Sequence, residues 1–323
     1  MSEQITYSQA FQQGVREEMT RDPSIFVLGT DLYERGGHFA QVKGIGPEFG
    51  ADRVRDTPIS EAAMVAAGVG AALNGTRPIV ELNFIDFAFG AMDEIVNQAA
   101  KIRYMWGAPV PLVIRATSGV ASSAAQHSNS LEAWFMHTPG LALVTPSTPA
   151  DTKGLIKSAL RAEDPVIFLM HKKLSGIKGT VGGPEDLIPI GKASVVRPGA
   201  QATVAAFGIM VSHALRAAEN LAEDGIEVEV IDLRSLAPLD VDTVADSVKK
   251  TGICVVAGEA PRTAGPTAAL AAAIQEQVFF YLDKPVLQVA SKHAPLPHSP
   301  ALIDAIIPGA ADVERAVRSA LDS

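Results

Sequence analysis

The 323-residue sequence contains a single cysteine, Cys254. An intrachain disulfide is therefore excluded, as are zinc or iron–sulfur sites that need several thiolates. Cys254 stands in an apolar run, where a buried and unreactive thiol is expected. Aromatic residues make up only 6% of the chain. No apolar run reaches the roughly 18 residues that a membrane-spanning helix needs, so the sequence does not predict a membrane protein.

Basic residues are fewer than acidic ones: the chain has 27 Lys and Arg against 36 Asp and Glu, which gives a net charge of −9. The chain therefore has no overall field that would attract nucleic acid or anionic lipid. Residues 1–6 lack the basic and apolar regions of a signal peptide. We expect a cytoplasmic protein that binds neither nucleic acid nor a membrane.

Strand-like and helix-like segments alternate along nearly the whole chain, which is typical of βαβ units around a mostly parallel sheet. Thr6 and Gln9 have the spacing of a capping box, which predicts a helix that begins after Thr6. Residues 172–187 mix charge with Gly and Pro and indicate a linker, after which the alternation resumes. The predicted fold class is α/β, with two doubly wound αβα domains over residues 1–186 and 187–323.

No phosphate-binding loop is recognisable, because the sequence has neither a P-loop nor a strand followed by Gly-x-Gly-x-x-Gly and a helix. Gly44-Ile-Gly46 lies in a predicted loop, and Gly68-Val-Gly70 lies inside a predicted helix. In that helix the small residues are expected to permit close packing. Neither motif predicts a phosphate site.

Glu61 stands at the predicted start of a helix made of Ala, Val, Gly and Met, directly beyond the end of a strand. Open α/β sheets bind ligands at the carboxyl ends of their strands, so Glu61 is a candidate for a partly buried acid that faces a ligand nitrogen. A carboxylate in this place is also favourable without a ligand, because it meets the positive end of the helix dipole. The residues alone leave both interpretations open.

His127 follows a loop of Thr, Ser, Gly, Val and Ala, residues 117–125. An imidazole in such a loop is free to face a cavity and transfer protons, and a structural histidine is the alternative. Phe84, Phe87 and Phe89 follow the third predicted strand. In a chain with few aromatics they form either a stacking platform for a planar ligand or part of the core. None of these signals alone decides the function.

Taken together, these residues belong to a set of motifs that occur in order along the chain. The motifs are Asp56-Thr-Pro-Ile-Ser-Glu61, Glu81-Leu-Asn-Phe-Ile-Asp-Phe87, Gln126-His-Ser128, Glu132-Ala-Trp-Phe135, Pro146-Ser-Thr-Pro-Ala-Asp151, Ile231-Asp-Leu-Arg-Ser-Leu236, Pro238-Leu-Asp240 and Glu259-Ala-Pro-Arg-Thr263. With them the chain resembles, over nearly its whole length, the β subunit of the thiamine-diphosphate-dependent decarboxylating component of 2-oxo acid dehydrogenase complexes. Pyruvate, branched-chain 2-oxo acid and acetoin dehydrogenases are members of that family.

The resemblance implies a thiamine-diphosphate-binding domain of the pyrimidine type, followed by a transketolase C-terminal-like domain. Glu61 matches the glutamate that hydrogen-bonds the pyrimidine ring of the cofactor. Phe87 matches the aromatic residue that packs on that ring. His127 matches the histidine that assists proton transfer and acyl transfer to a lipoyl group. In such enzymes the cofactor supplies the electron sink, and the protein contributes orientation and electrostatics.

The resemblance also implies a partner chain. Family β chains lack the Gly-Asp-Gly motif that holds magnesium and the diphosphate, which belongs to the α chain, and this sequence lacks it too. We therefore expect an α₂β₂ heterotetramer that shares thiamine diphosphate between its chains, works with a lipoyl acyltransferase and acts on a small 2-oxo acid or acyloin. Some members bind potassium through main-chain carbonyls, and the matching positions are Leu112, Leu160, Ala162 and Asp164.

Three other functions remain open from the sequence. The first is an acetoin-cleaving dehydrogenase β subunit, and the second is one half of a split transketolase or a related transferase. The third is a non-catalytic assembly subunit, against which the joint presence of Glu61, Phe87 and His127 speaks. The Gln126-His-Ser128 and Glu132-Ala-Trp-Phe135 motifs fit the dehydrogenase β chains better than the transferases.

Overall fold

The structure is a computed structural model that describes two stretches of the chain, residues 4–121 and 123–322. Residues 1–3, Ser122 and Ser323 lie outside the described residues, so the predicted loop before His127 is described without Ser122. The described residues form two compact units. The first unit comprises residues 4–118 and 134–190, and the second comprises residues 119–121, 123–133 and 191–322.

The elements follow the predicted alternation of strands and helices. Up to residue 180 they are β1 (Gln4–Thr6), α1 (Tyr7–Arg21), β2 (Ile25–Gly29), α2 (Ile45–Phe49), β3 (Val54–Asp56), α3 (Glu61–Leu73), β4 (Arg77–Phe84), α4 (Ile102–Trp106), β5 (Val113–Ser118), α5 (Glu132–Met136), β6 (Ala142–Val144), α6 (Pro149–Arg161), β7 (Val166–His171) and β8 (Lys178–Thr180). Short 3₁₀ turns cover Ile85–Ala91, Ala125–His127 and Lys172–Leu174, and a π-helical turn covers Glu94–Ala99.

Beyond residue 190 the alternation resumes with β9 (Ser194–Arg197), β10 (Ala202–Ala206), α7 (Ile209–Glu223), β11 (Val228–Asp232), β12 (Ser235–Ala237), α8 (Val241–Thr251), β13 (Cys254–Pro261), α9 (Pro266–Val278), β14 (Leu287–Ser291), α10 (Pro300–Asp304) and α11 (Ala310–Asp322). Both units are therefore built from strands that alternate with helices, and the predicted α/β class is confirmed.

Strands of the first unit form a parallel sheet in the order β6-β7-β5-β4-β2-β3. β5 and β7 are buried at every position, as expected for strands in the middle of a sheet that helices cover on both faces. Because the strands run in one direction, their carboxyl ends lie along one edge of the sheet, where folds of this type bind ligands.

The predicted start of the first helix is confirmed. The Thr6 hydroxyl accepts the Gln9 N–H and the Gln9 side chain accepts the Thr6 N–H, which is the capping box inferred from the sequence. α1 packs on α6. Glu18 of α1 is buried, and its carboxylate accepts hydrogen bonds from the guanidinium of Arg161 at the end of α6. This charged pair fixes the register between the two helices.

The predicted linker is partly structured. It contains β8, which pairs antiparallel with β1 so that Gly179 lies opposite Ile5. A Cβ at Gly179 would lie 3.1 Å from Cδ of Pro149, so a small residue suits this place. A strand of three residues has too little periodicity to be recognised from the sequence, which is why the linker prediction did not include it.

The second unit has a sheet in the order β14-β13-β10-β11-β9, with β9 antiparallel at its edge. Its core is made of Ala, Val, Leu, Ile and Met from these strands and from helices α7 and α11. Cys254 is buried at the start of β13, and burial raises the pKa of its thiol to about 12. The thiol is therefore protonated and unreactive at neutral pH, as the sequence predicted.

None of the helices in the described stretches combines the length and the apolar character that crossing a membrane requires. The described residues also contain no group of three or more His, Cys, Asp and Glu side chains that could hold a metal ion.

Candidate active site

Glu61 is the first residue of α3, close to the end of β3 at the carboxyl edge of the sheet. Its side chain is partly buried, and among the described residues it has no hydrogen-bond partner. Within the part of the chain that the structure describes, the side chain of the preceding residue, Ser60, makes no capping hydrogen bond to the start of α3. The carboxyl group is therefore available to a ligand.

A glycine in α3 lets the helix lie close to the sheet, which helps to fix the position of Glu61. A Cβ at Gly68 would lie 2.5 Å from Cγ2 of Val80 in β4 and 3.1 Å from Cδ1 of Leu112. Only glycine permits such an approach, because real Cβ atoms are not found at such short distances from a neighbour. This contact agrees with the packing expectation for Gly68, whereas a Cβ at Gly70 would meet no atom within 4 Å, so close packing does not require Gly70.

Phe87 lies in the 3₁₀ turn Ile85–Ala91, which packs against α3. Its ring meets Phe84 edge-on with the centroids 5.6 Å apart, and Phe84 also contacts Phe39 at 5.0 Å. Phe89 instead lies against Trp134, with the centroids 4.9 Å apart, and both rings are exposed. The predicted trio is therefore divided between an aromatic cluster beside α3 and a surface pair.

Two residues that the sequence analysis did not assign hold the loop after β2 at the same edge. Asp56, the last residue of β3, accepts the N–H groups of Leu32 and Tyr33. Asn83, with a positive φ of 58°, places its amide oxygen 3.4 Å from the N–H of His38. The sequence feature that could have identified both residues is a short polar side chain near the end of a strand. Such side chains cap loops by accepting hydrogen bonds from main-chain N–H groups.

His127 belongs to the second unit, whereas Glu61 and Phe87 belong to the first. It ends the 3₁₀ turn Ala125–His127 and is partly buried. The residue before this turn, Ala124, has φ 64° and ψ 169°, a conformation found almost only for glycine. The turn that carries His127 is therefore entered through a strained main chain.

Two buried glutamates without a role predicted from the sequence, Glu259 and Glu132, lie near the same segment. Glu259 of β13 accepts the Val120 N–H at 2.8 Å and the Ser130 hydroxyl at 3.3 Å. Glu132, the first residue of α5, is buried, and its Oε2 has no hydrogen-bond partner among the described residues. Burial, with the charge of Glu259, raises the pKa of Glu132 from 4.5 to about 7.

This raised pKa predicts that the free energy of unfolding falls with increasing pH. The folded chain binds the Glu132 proton more tightly than the unfolded chain does. The resulting contribution to the free energy of unfolding is complete below about pH 4.5 and is lost as the pH rises through about 7. We expect a fall of up to about 3 kcal/mol between about pH 5 and about pH 8. Glu132→Gln, which copies the neutral form, should remove this fall, as denaturant unfolding at both pH values would measure.

The surface glutamate Glu223, at the end of α7, provides the matched control. Its replacement by Gln should leave the pH dependence of the unfolding free energy as it is in the wild type. An equal slope in Glu132→Gln and in the wild type would contradict the assignment of this titration to Glu132.

Three of the four carbonyl groups that the resemblance assigned to potassium, those of Leu112, Leu160 and Ala162, accept hydrogen bonds from protein donors. The Leu112 carbonyl accepts a main-chain N–H from the neighbouring strand. The carbonyls of Leu160 and Ala162 accept from the guanidinium of Arg77 at 3.2 and 2.7 Å. The Asp164 carboxylate pairs with an arginine of α4 at 3.2 Å. A guanidinium therefore already brings positive charge to two of these carbonyls, and the potassium site stays a prediction.

Comparison with known proteins gives matches over nearly the whole chain. Residues 3–177 match the family model described as transketolase, pyrimidine binding domain, and residues 191–313 match transketolase, C-terminal domain. Among solved structures, a split gene transketolase described as an inactive beta4 tetramer superposes with a TM-score of 0.80 and 27% identity, over 98% of both chains.

Curated relatives are similar at higher identity. The chain is 45% identical to the acetoin:2,6-dichlorophenolindophenol oxidoreductase subunit beta of Cupriavidus necator, over 99% of this chain and 98% of the relative. It is 43% identical to the pyruvate dehydrogenase E1 component subunit beta of Rhizobium meliloti, over 98% of this chain and 69% of the relative. It is 41% identical to the 2-oxoisovalerate dehydrogenase subunit beta of Bacillus subtilis, over 97% and 98%.

Proposed function

This chain belongs to the family of transketolase-related β subunits of 2-oxo acid and acetoin dehydrogenases, and from that premise we propose that it is the β subunit of a thiamine-diphosphate-dependent decarboxylase that feeds a lipoyl acyltransferase. The observation that supports the proposal is Glu61, whose carboxyl group has no hydrogen-bond partner among residues 4–121 and 123–322 and stands at the start of α3 beside an aromatic turn. The substrate is a small 2-oxo acid, pyruvate-like or branched-chain.

The described residues fit the aminopyrimidine half of thiamine diphosphate. Glu61 would hold a proton at a ring nitrogen, and Phe87 would pack against the face of the ring. When bound, thiamine diphosphate would supply the nucleophile and the electron sink that decarboxylation needs. His127 would move a proton during acyl transfer to the lipoyl group. The chain's own contribution is orientation and proton transfer.

An α subunit would complete the site. The sequence has no Gly-Asp-Gly motif and no P-loop, so we propose that the α chain holds the diphosphate and magnesium in an α₂β₂ heterotetramer. The exposed side chains of Tyr104, Met105 and Trp106 on α4 support a protein partner, because single-chain proteins rarely expose such groups together. Tyr104 is 94% exposed in the chain alone.

Acetoin cleavage is the second candidate for the reaction. The 45% identity to the acetoin-oxidising relative favours it, and the same residues would serve, because both reactions pass an acyl unit to lipoamide. The pocket that chooses the substrate would include α-chain residues. Assays of pyruvate, a branched-chain 2-oxo acid and acetoin with the same preparation distinguish the two candidates.

Co-expression with an α chain from the same organism tests the proposal. We expect calorimetric titration with thiamine diphosphate and magnesium to show binding by the mixed complex and none by this chain alone. We also expect the complex to decarboxylate at least one 2-oxo acid or to cleave acetoin. Binding by the isolated chain would contradict the shared site, and a mixed complex that binds no cofactor would favour the assembly-subunit alternative.

A further inference from the structure

The segment that carries His127 comprises the described residues 119–121 and 123–130. Hydrogen bonds join residues near its two ends. The Gly119 N–H donates to the Asn129 carbonyl at 3.3 Å. The Ser128 hydroxyl donates to the Ala121 carbonyl at 2.7 Å. These bonds define the shape of the segment, but they join it only to itself. Its position within the second unit therefore depends on other contacts.

Glu259 provides such a contact at both flanks of the segment. The carboxylate is buried on β13, and a single oxygen, Oε2, accepts from the Val120 N–H and the Ser130 hydroxyl. Hydrogen bonds to a carboxylate are stronger than those between neutral groups. We propose that Glu259 is a positioning residue, which fixes the segment so that His127 is presented to the reacting acyl group. The proposal rests on the function proposed above for His127.

Glu132 makes this arrangement unusual, because a second carboxyl group is buried beside the first. Glu259 is the charged group that acts on Glu132 among the described residues, and the two negative charges would repel each other. With its pKa near 7, Glu132 is neutral in mildly acidic solution and then adds no second negative charge beside Glu259. Because glutamine copies the neutral form of Glu132, we expect Glu132→Gln to keep the contacts of Glu259, which makes it a matched control from the same buried cluster.

The test uses the complex with the α chain and separates two reactions. Acyl transfer to a lipoyl domain is measured beside decarboxylation with an artificial electron acceptor, for the wild type, Glu259→Ala, His127→Asn and the double variant. We expect Glu259→Ala to slow acyl transfer by about 10- to 100-fold, because a displaced catalytic group loses about that much. Cofactor binding and decarboxylation should stay within a few-fold of the wild type.

The double variant tests whether Glu259 acts through His127. If Glu259 acts through His127, adding Glu259→Ala to His127→Asn should cause no further loss, because a missing imidazole cannot be misplaced. Glu259→Gln keeps an acceptor oxygen and should restore most of the acyl transfer. Glu132→Gln should transfer acyl groups at the wild-type rate in mildly acidic solution.

Additive losses in the double variant would overturn the proposal, as would an equal loss of cofactor binding. Hydrogen exchange of the Val120 amide, measured in the same complexes, should be faster in Glu259→Ala, and unchanged exchange would also overturn it. If His127→Asn itself leaves acyl transfer intact, the function proposed for His127 fails and the positioning role with it. Faster exchange would then identify Glu259 as a structural tether alone.

Discussion

Glu61→Gln is expected to lower decarboxylation by the reconstituted complex by about 10²- to 10⁴-fold, the range found when a positioned acid or base is removed. The amide keeps the size of the side chain and one hydrogen-bonding group, so thiamine diphosphate should still bind. It cannot hold and release a proton at the ring nitrogen. Steady-state decarboxylation and calorimetric binding, measured on the same preparation, check both parts of the prediction.

The helix-dipole interpretation of Glu61 predicts a different result. If the carboxylate only stabilises the start of α3, the amide should cost about 0.3–1 kcal/mol in the free energy of unfolding and leave decarboxylation unchanged. Glu223→Gln, an exposed glutamate at the end of α7, controls for the loss of one negative charge. Decarboxylation within three-fold of the wild type in Glu61→Gln would refute the catalytic assignment.

Local sequence signals were enough to predict the architecture. The alternation of strands and helices agrees with several local features. These are the capping residue Thr6, the small residues of α3 and the buried strands. Such agreement among short-range preferences is what specifies a single fold. Glu61 could be located for the same reason, because the start of a helix after a parallel strand fixes where its side chain lies.

Contacts between distant parts of the chain could not be predicted in this way. Val120 and Glu259 are 139 residues apart, and no periodicity or spacing relates them. Their two motifs were visible in the sequence, but only the fold brings Glu259 to both flanks of the His127 segment. The pKa of Glu132 in α5 likewise depends on burial and on a charge from a distant strand, β13. In the proposed heterotetramer, substrate choice would also depend on residues of the α chain, which this sequence does not contain.

His127→Asn should separate the two halves of the reaction. We expect acyl transfer to a lipoyl domain to fall by about 10²- to 10³-fold, because the asparagine side chain can hydrogen-bond but cannot transfer a proton. Decarboxylation followed with 2,6-dichlorophenolindophenol needs no lipoyl group and should remain within about ten-fold of the wild type. The ratio of the two rates, measured on one preparation, is therefore the informative quantity.

His137, an exposed histidine just beyond α5, is the matched control, and His137→Asn should leave both rates unchanged. An equal fall of both rates in His127→Asn would place this residue in the decarboxylation step itself. Unchanged rates would make it the structural histidine of the alternative interpretation. The strained main chain at Ala124 speaks against the structural interpretation. Such a conformation costs about 1–3 kcal/mol, and strained residues are found most often at functional sites.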